Sequence, residues 1–181
     1  MLRKLAKLFR RDIARFRAAR GGATAVEFAL VAPAFLATVI AVLETTLFLF
    51  AQATLQNAAV EGGRLFMTGQ GQNGNLTEAQ FVNDICPMIS ALFNCSDVMV
   101  NIKNYSSFSN ANASEPSLTF NAGCQVTNTW SYSPGTPGQV TVVQLIYQWP
   151  IVSGPLGYVL TNFCGGSTEM MGVTAFRVEP Y

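Results

Sequence analysis

The longest hydrophobic stretch runs from Phe28 to Ala51, 24 residues with a single charge at Glu44. As a helix it would measure about 36 Å at ~1.5 Å per residue, enough to cross a bilayer core of ~30 Å with modest tilt. Pro33 removes one backbone donor and predicts a kink, which membrane helices tolerate because neighbours satisfy the freed carbonyl. Beyond the span, Phe48, Ala51, Leu55, Ala58, Gly62 and Leu65 recur at spacings of three and four. The helix is therefore predicted to continue to residue 68, with a seam containing small residues. Such a seam suits packing against the chain's own domain or against other subunits. Gly62-Gly63 is the loosest point and predicts a weakened helix near Arg64.

The remaining pattern is mixed. Gly69 to Asn75 reads as a polar glycine loop. Thr77 followed by Gln80 gives a capping-box pattern, and Phe81, Ile85, Met88, Ile89 and Leu92 share one face, so 78–93 is predicted as a second helix, with Pro87 able to bend it. Val98, Val100 and Ile102 alternate and predict a strand over 97–103. Residues 104–117 form a Ser/Asn-rich loop, and the Tyr and Phe of 104–120 read as loop filler over contacts with a surface or partner. A weak strand is expected within 118–130 and a turn over 133–138. Residues 139–149 are the best strand, with Val143, Leu145, Tyr147 and Trp149 on one face. A loop or short helix covers 150–163, and a last strand covers 168–178. The fold class is α+β: a long pilin-like N-terminal transmembrane helix, then a small disulfide-bonded domain with an antiparallel sheet. Three segments follow: a basic leader, 1–22; the helix, 23–68, with its span at 28–51; and an exported α+β domain, 69–181.

Charge fixes the orientation. Residues 1–22 carry eight Lys and Arg against Asp12, whereas residues 23–181 carry Arg64, Lys103 and Arg177 against nine acids. By the positive-inside rule the leader stays in the cytoplasm and the domain is exported. An ordinary secretory signal is the alternative, with Ala51-Gln52-Ala53 as an A-x-A site, but the apolar run is too long and contains Glu44. The chain has no His, which excludes Ser-His and Cys-His nucleophile pairs and His-ligated zinc. No catalytic constellation is present, so an enzyme is not expected, nor a cofactor or a metal. An acidic exported part argues against nucleic acid.

Four cysteines, Cys86, Cys95, Cys124 and Cys164, lie in the exported part. An even count in an oxidising compartment predicts two disulfides over four reduced thiols. Of three pairings, Cys86–Cys95 and Cys124–Cys164 are favoured: the first closes a short loop at the end of the second helix, the second ties the central loop to the last third of the sheet. The Asn-x-Ser/Thr matches at Asn75, Asn94, Asn104 and Asn112 read as accidents of composition.

The junction Arg20-Gly21-Gly22-Ala23-Thr24-Ala25-Val26-Glu27-Phe28 joins a basic leader to an apolar run whose fifth residue is Glu. It resembles a prepilin peptidase site, with cleavage between Gly22 and Ala23. A carboxylate at membrane depth needs a partner, and cleavage would create an ammonium on Ala23. The competing reading of Glu27 is a helix-start acid favoured by the positive helix terminus. Val26-Glu27-Phe28-Ala29-Leu30, Pro33, Glu44, the stretch Ala58-Ala59-Val60-Glu61-Gly62-Gly63-Arg64 and the tail Arg177-Val178-Glu179-Pro180-Tyr181 together resemble TadE-like proteins. These are pseudopilins or minor pilins of the Tad (tight adherence, Flp-type) pilus system. The resemblance is close over residues 20–70 and in the tail.

It implies a structural role in assembling a type IVb pilus, and hence in surface adhesion. It also implies assembly contacts through Glu27, Phe28 and Glu44, with Glu27 pairing the Ala23 ammonium of its own or a neighbouring subunit. The implied partners are a prepilin peptidase, other pilin or pseudopilin subunits, the inner-membrane assembly platform and the lipid bilayer. The implied location is the bacterial inner membrane, with the domain periplasmic and then extracellular on assembly. The alternative is a single-pass anchored periplasmic binding or assembly-platform protein.

Overall fold

A computed structural model describes residues 22–151 and 166–180. The basic leader up to Gly21, most of the predicted 150–163 loop, Cys164 and Tyr181 lie outside the described residues. The element order is helix α1 (Ala23–Met67), helix α2 (Gln70–Asn73), helix α3 (Glu78–Ile89) and strands β1 (Met99–Tyr105), β2 (Val140–Pro150) and β3 (Ser167–Arg177). The chain divides into two units, Met1–Leu43 and Glu44–Tyr181.

The described part of the first unit is the N-terminal stretch of α1, which continues through Pro33 as one element. Val26, Phe28, Leu30, Val31, Phe35 and Leu36 are all exposed, and at ~100° per residue they cover the whole circumference. A helix apolar all round belongs inside a protein or a bilayer. It is long and apolar enough for single-pass anchoring in a membrane.

The second unit is an α+β domain built around the rest of α1. Ala51, Leu55, Ala58, Ala59 and Phe66 are fully buried there, so the small-residue seam packs against its own domain. The other side of this core is Phe81, Ile85 and Ile89 of α3 and one face of a three-stranded antiparallel sheet of order β1-β2-β3. The register sets Val100 opposite Leu145, Ile102 opposite Val143, and Leu145 opposite Gly172. The central strand is buried on both faces: Val140, Val142, Gln144 and Ile146 are as hidden as Val143 and Leu145.

The glycine pair in α1 does not weaken it. A Cβ on Gly62 would lie 2.7 Å from the Phe81 ring, and one on Gly63 would lie 2.6 Å from Thr174 Cγ2. The two glycines let α1 sit close to α3 on one side and to β3 on the other. Each costs the helix about 1 kcal/mol relative to Ala, and the burial of Phe81 and Phe66 beside them offsets it. Gly172 does the same from the strand side: a Cβ there would come 2.5 Å from the Leu55 carbonyl oxygen.

Several sequence expectations shift. The second helix ends at Ile89 rather than 93, where turns begin; Pro87 is accommodated inside its last turn. Its start carries the expected capping box, with Gln80 N donating to Thr77 Oγ1 (3.3 Å) and Thr77 N donating to Gln80 Oε1 (2.9 Å). The glycine loop at 69–75 contains the short helix α2. The weak strand expected in 118–130 reduces to one isolated bridge, Phe120 to Val126, because Asn side chains there take up backbone groups a ladder would use.

The Cys86–Cys95 disulfide is present, with Cα atoms 5.8 Å apart. It ties the end of α3 to the 3₁₀ turn Cys95–Asp97 that leads into β1. A loop of this length stabilises by about 2–3 kcal/mol in the chain-entropy account. Cys124 is also disulfide-bonded; its expected partner, Cys164, lies outside the described residues.

Candidate functional site

Gly22 is exposed and directly precedes α1, whose first residue is Ala23. Among the described residues nothing lies within 4 Å of a Cβ built on Gly22.

Glu27 is the fifth residue of α1 and is exposed, with no hydrogen bond or ion pair among the described residues. The first turn of the helix holds no acid. Helix-terminus stabilisation fades within the first turn, so it gives little reason for an acid at Glu27. Phe28, beside it, is 73% exposed. The two residues form an apolar surface carrying one unpaired carboxylate.

Glu44 opens the second unit and is half-buried. Its Oε1 atom is shut off from solvent and has no hydrogen-bond partner. A carboxylate oxygen held this way is costly to keep without a donor. Leu47, Leu49 and Phe50 beyond it remain exposed, and the first fully buried side chain of α1 is Ala51. With Phe48 already packed on the core, the transition from outward-facing to inward-facing helix falls over residues 48–51.

Past that point the sequence carries a feature that hydrophobic patterning misses. β3 is an edge strand, and two glutamines of α1 close its edge. Gln56 Nε2 donates to Val173 O (2.7 Å), and Gln56 Oε1 accepts from Val173 N (2.9 Å), so one side chain replaces a strand's pair of bonds. Gln52 Nε2 donates to Met171 O (2.8 Å). At the other edge, Ile102 N donates to Ser131 O (2.6 Å) and Ser133 N to Ile102 O (3.1 Å). The sheet is closed at both edges where these bonds form, which removes a template for pairing with other chains there. The C-terminal tail joins the same assembly: Val178 is buried, and Glu179 N donates to Met67 O (3.0 Å) at the end of α1.

Two further groups were not legible in the sequence. Tyr132 packs on Phe66 and Phe81 and donates its hydroxyl to Leu76 O (2.9 Å). Burial, then the Glu78 and Asp84 carboxylates, pushes its pKa up to about 12. The ring stands at a shallow cleft of about 580 Å³ lined also by Leu76, Glu78, Pro134 and Thr136. Glu169, half-buried on β3, is pushed up from 4.5 to about 7 by burial first and by Glu115 second, and its Oε1 has no hydrogen-bond partner. Among the described residues no three His, Cys, Asp or Glu side chains come together to hold a metal.

The sequence model of the TadE-like protein family matches residues 22–64. The match begins at the Gly22-Ala23 junction and ends just past the Gly62-Gly63 pair, within α1. No curated protein and no solved structure matches the chain. Over those residues the chain is similar to TadE-like proteins.

Proposed function

We propose that this protein is a minor pilin or pseudopilin of a Tad-type (type IVb) pilus. In this reading it sits in the bacterial inner membrane with its leader in the cytoplasm and its α+β domain in the periplasm. A prepilin peptidase cuts between Gly22 and Ala23. The freed Ala23 ammonium then lies four residues from Glu27, on the apolar surface that Phe28 extends. Pairing of Glu27 with that ammonium, on its own or a neighbouring subunit, docks the helix into the assembly. Glu44 meets a donor on a neighbouring subunit or the assembly platform. Anchoring, extraction and packing all use the outward-facing helix, and the pilus supports surface adhesion.

The observation that carries this reading is the outward-facing large apolar side chains of α1 from Val26 to Leu43, within the segment that matches TadE-like proteins. Removing one partner of a buried ion pair strands the other charge at ~3–5 kcal/mol. Glu27→Ala is therefore expected to insert and fold normally and to fail in assembly. The direct test is the intact mass of the protein extracted from membranes. The expected mature chain begins at Ala23; one beginning at Met1 would instead identify a permanently anchored protein, and one beginning at Thr54 a secreted domain.

A further inference from the structure

Residues 106–137 run for 32 residues with no helix or ladder strand, apart from the 3₁₀ turn Phe108–Asn110. Irregular segments of this length in a folded domain are uncommon and are usually either functional or disordered. This one is held in place by its own side chains. Asn112 Oδ1 accepts from Ser114 N (2.9 Å), Asn128 Oδ1 from Thr119 N (2.7 Å), and Asn121 Oδ1 from Gly123 N (2.9 Å) and Gln125 N (3.0 Å). Asn128 Nδ2 donates to Ser117 O (2.9 Å). A relay through the sheet anchors the loop from beneath: Asn101 Nδ2 donates to Gln144 Oε1 (2.6 Å), and Gln144 Nε2 donates to Ser114 O (2.9 Å). The disulfide at Cys124 adds a further tie.

The chemistry this loop presents is narrow. Half of its 32 residues are Ser, Thr, Asn or Gln, and its only charge is Glu115. At one end Phe108 is 57% exposed, raised on its 3₁₀ turn. Around it, the Ser107 and Ser109 hydroxyls lie 2.8 Å apart and Asn110 Nδ2 donates to Ser106 Oγ (3.2 Å). Asn110 Oδ1 and Asn112 Nδ2 remain available among exposed side chains. An exposed aromatic face flanked by ordered hydroxyls and amides offers stacking plus directional hydrogen bonds at small entropy cost. The absence of Lys and Arg leaves nothing to hold phosphates, sulfates or uronates, and one carboxylate is too few to attract a basic partner.

We propose that the Phe108 end of this loop is a binding surface for neutral carbohydrate polymers. The ring takes the C–H face of a sugar, and Asn110, Asn112 and the serines bond its hydroxyls. This goes beyond the pilin reading and holds whether or not the chain enters a filament.

The test uses the full-length protein in detergent micelles, passed over immobilised dextran, amylose and cello-oligosaccharides, with alginate and heparin as charged controls. Retention on at least one neutral glycan is expected, unchanged by added salt. Phe108→Ala and Asn112→Ala should each weaken it about three- to tenfold, with Tm and the Cys86–Cys95 bridge unaltered. No retention on any neutral glycan would overturn the proposal. So would binding to the charged polymers alone, or neutral binding that both variants leave intact. Cross-linking of Phe108 to another pilus subunit in assembled material would reassign the surface to a protein contact.

Discussion

The two halves of α1 belong to one continuous helix and have opposite surroundings. From Val26 to Phe50 every large apolar side chain but Phe48 faces outward; from Ala51 to Phe66 the seam residues lie in a core. The halves differ in polar content, in residue size and in a pair of amides. The outward half carries Phe, Leu, Val and Ile all round. The inward half carries Ala51, Ala58, Ala59, Gly62 and Gly63 where α3 and β3 approach, and Gln52 and Gln56 where the sheet edge needs partners. Hydrophobicity alone marks a helix that must be covered. Small residues and edge amides mark which part the chain covers itself.

The comparison breaks most visibly in the core. Phe81→Ala should cost the domain about 3–5 kcal/mol, because it empties the space against Phe66, Gly62 and Tyr132. Phe28→Ala should leave domain stability unchanged within about 0.5 kcal/mol. Denaturant melts of the two variants in the same detergent check the contrast. Next in size, Cys86→Ser should lower stability by about 2–3 kcal/mol, and the loss should vanish when both proteins are melted with reductant present.

Much of this was legible from local pattern. The apolar run, the Thr77–Gln80 cap and the alternation in β2 each depend on residues within one or two turns of each other, and periodicity reports them directly. The short Cys86–Cys95 loop also stood out by spacing. The rest depends on contacts remote in sequence. Gln56 and Val173 are 117 residues apart, and a glutamine one turn past an apolar span looks like any interfacial polar residue. Gly62-Gly63 read as a weak point because nothing in the sequence announces Phe81 and Thr174 against them. The region 118–130 was mistaken for a strand because its Thr and Val favour β structure, while its Asn side chains bond the backbone instead. The candidate site divides the same way. Glu27 and Glu44 were visible as carboxylates in an apolar run, whereas Glu169 is distinguished only by its burial and by Glu115.

Smaller effects sharpen the boundary. Gln56→Ala should cost about 1–2 kcal/mol, since it leaves Val173 N–H and C=O at the edge of β3 without partners. Hydrogen exchange at Val173 should rise, with no change at Ile102, whose edge is closed by Ser131 and Ser133. The smallest effect belongs to Glu169. Its folded pKa, about 7, lies above the ordinary 4.5, so the folded state holds the proton more tightly. Stability is therefore greatest below pH 4.5 and falls as pH climbs from there to about 7. Because the group is only half-buried, solvent screening keeps the change below about 1 kcal/mol. Melts of Glu169→Gln across this range should show a flatter profile than the parent.

The central claim is that the outward half of α1 is covered by other molecules and the inward half by its own domain. Photo-cross-linking residues placed singly at Leu36 and at Leu55, in cells assembling pili, test it most directly. At Leu36 the account predicts adducts with other pilus or assembly subunits; at Leu55 it predicts none between chains. Adducts from Leu55 in a folded, disulfide-bonded protein, or none from Leu36 in piliated cells, would contradict it.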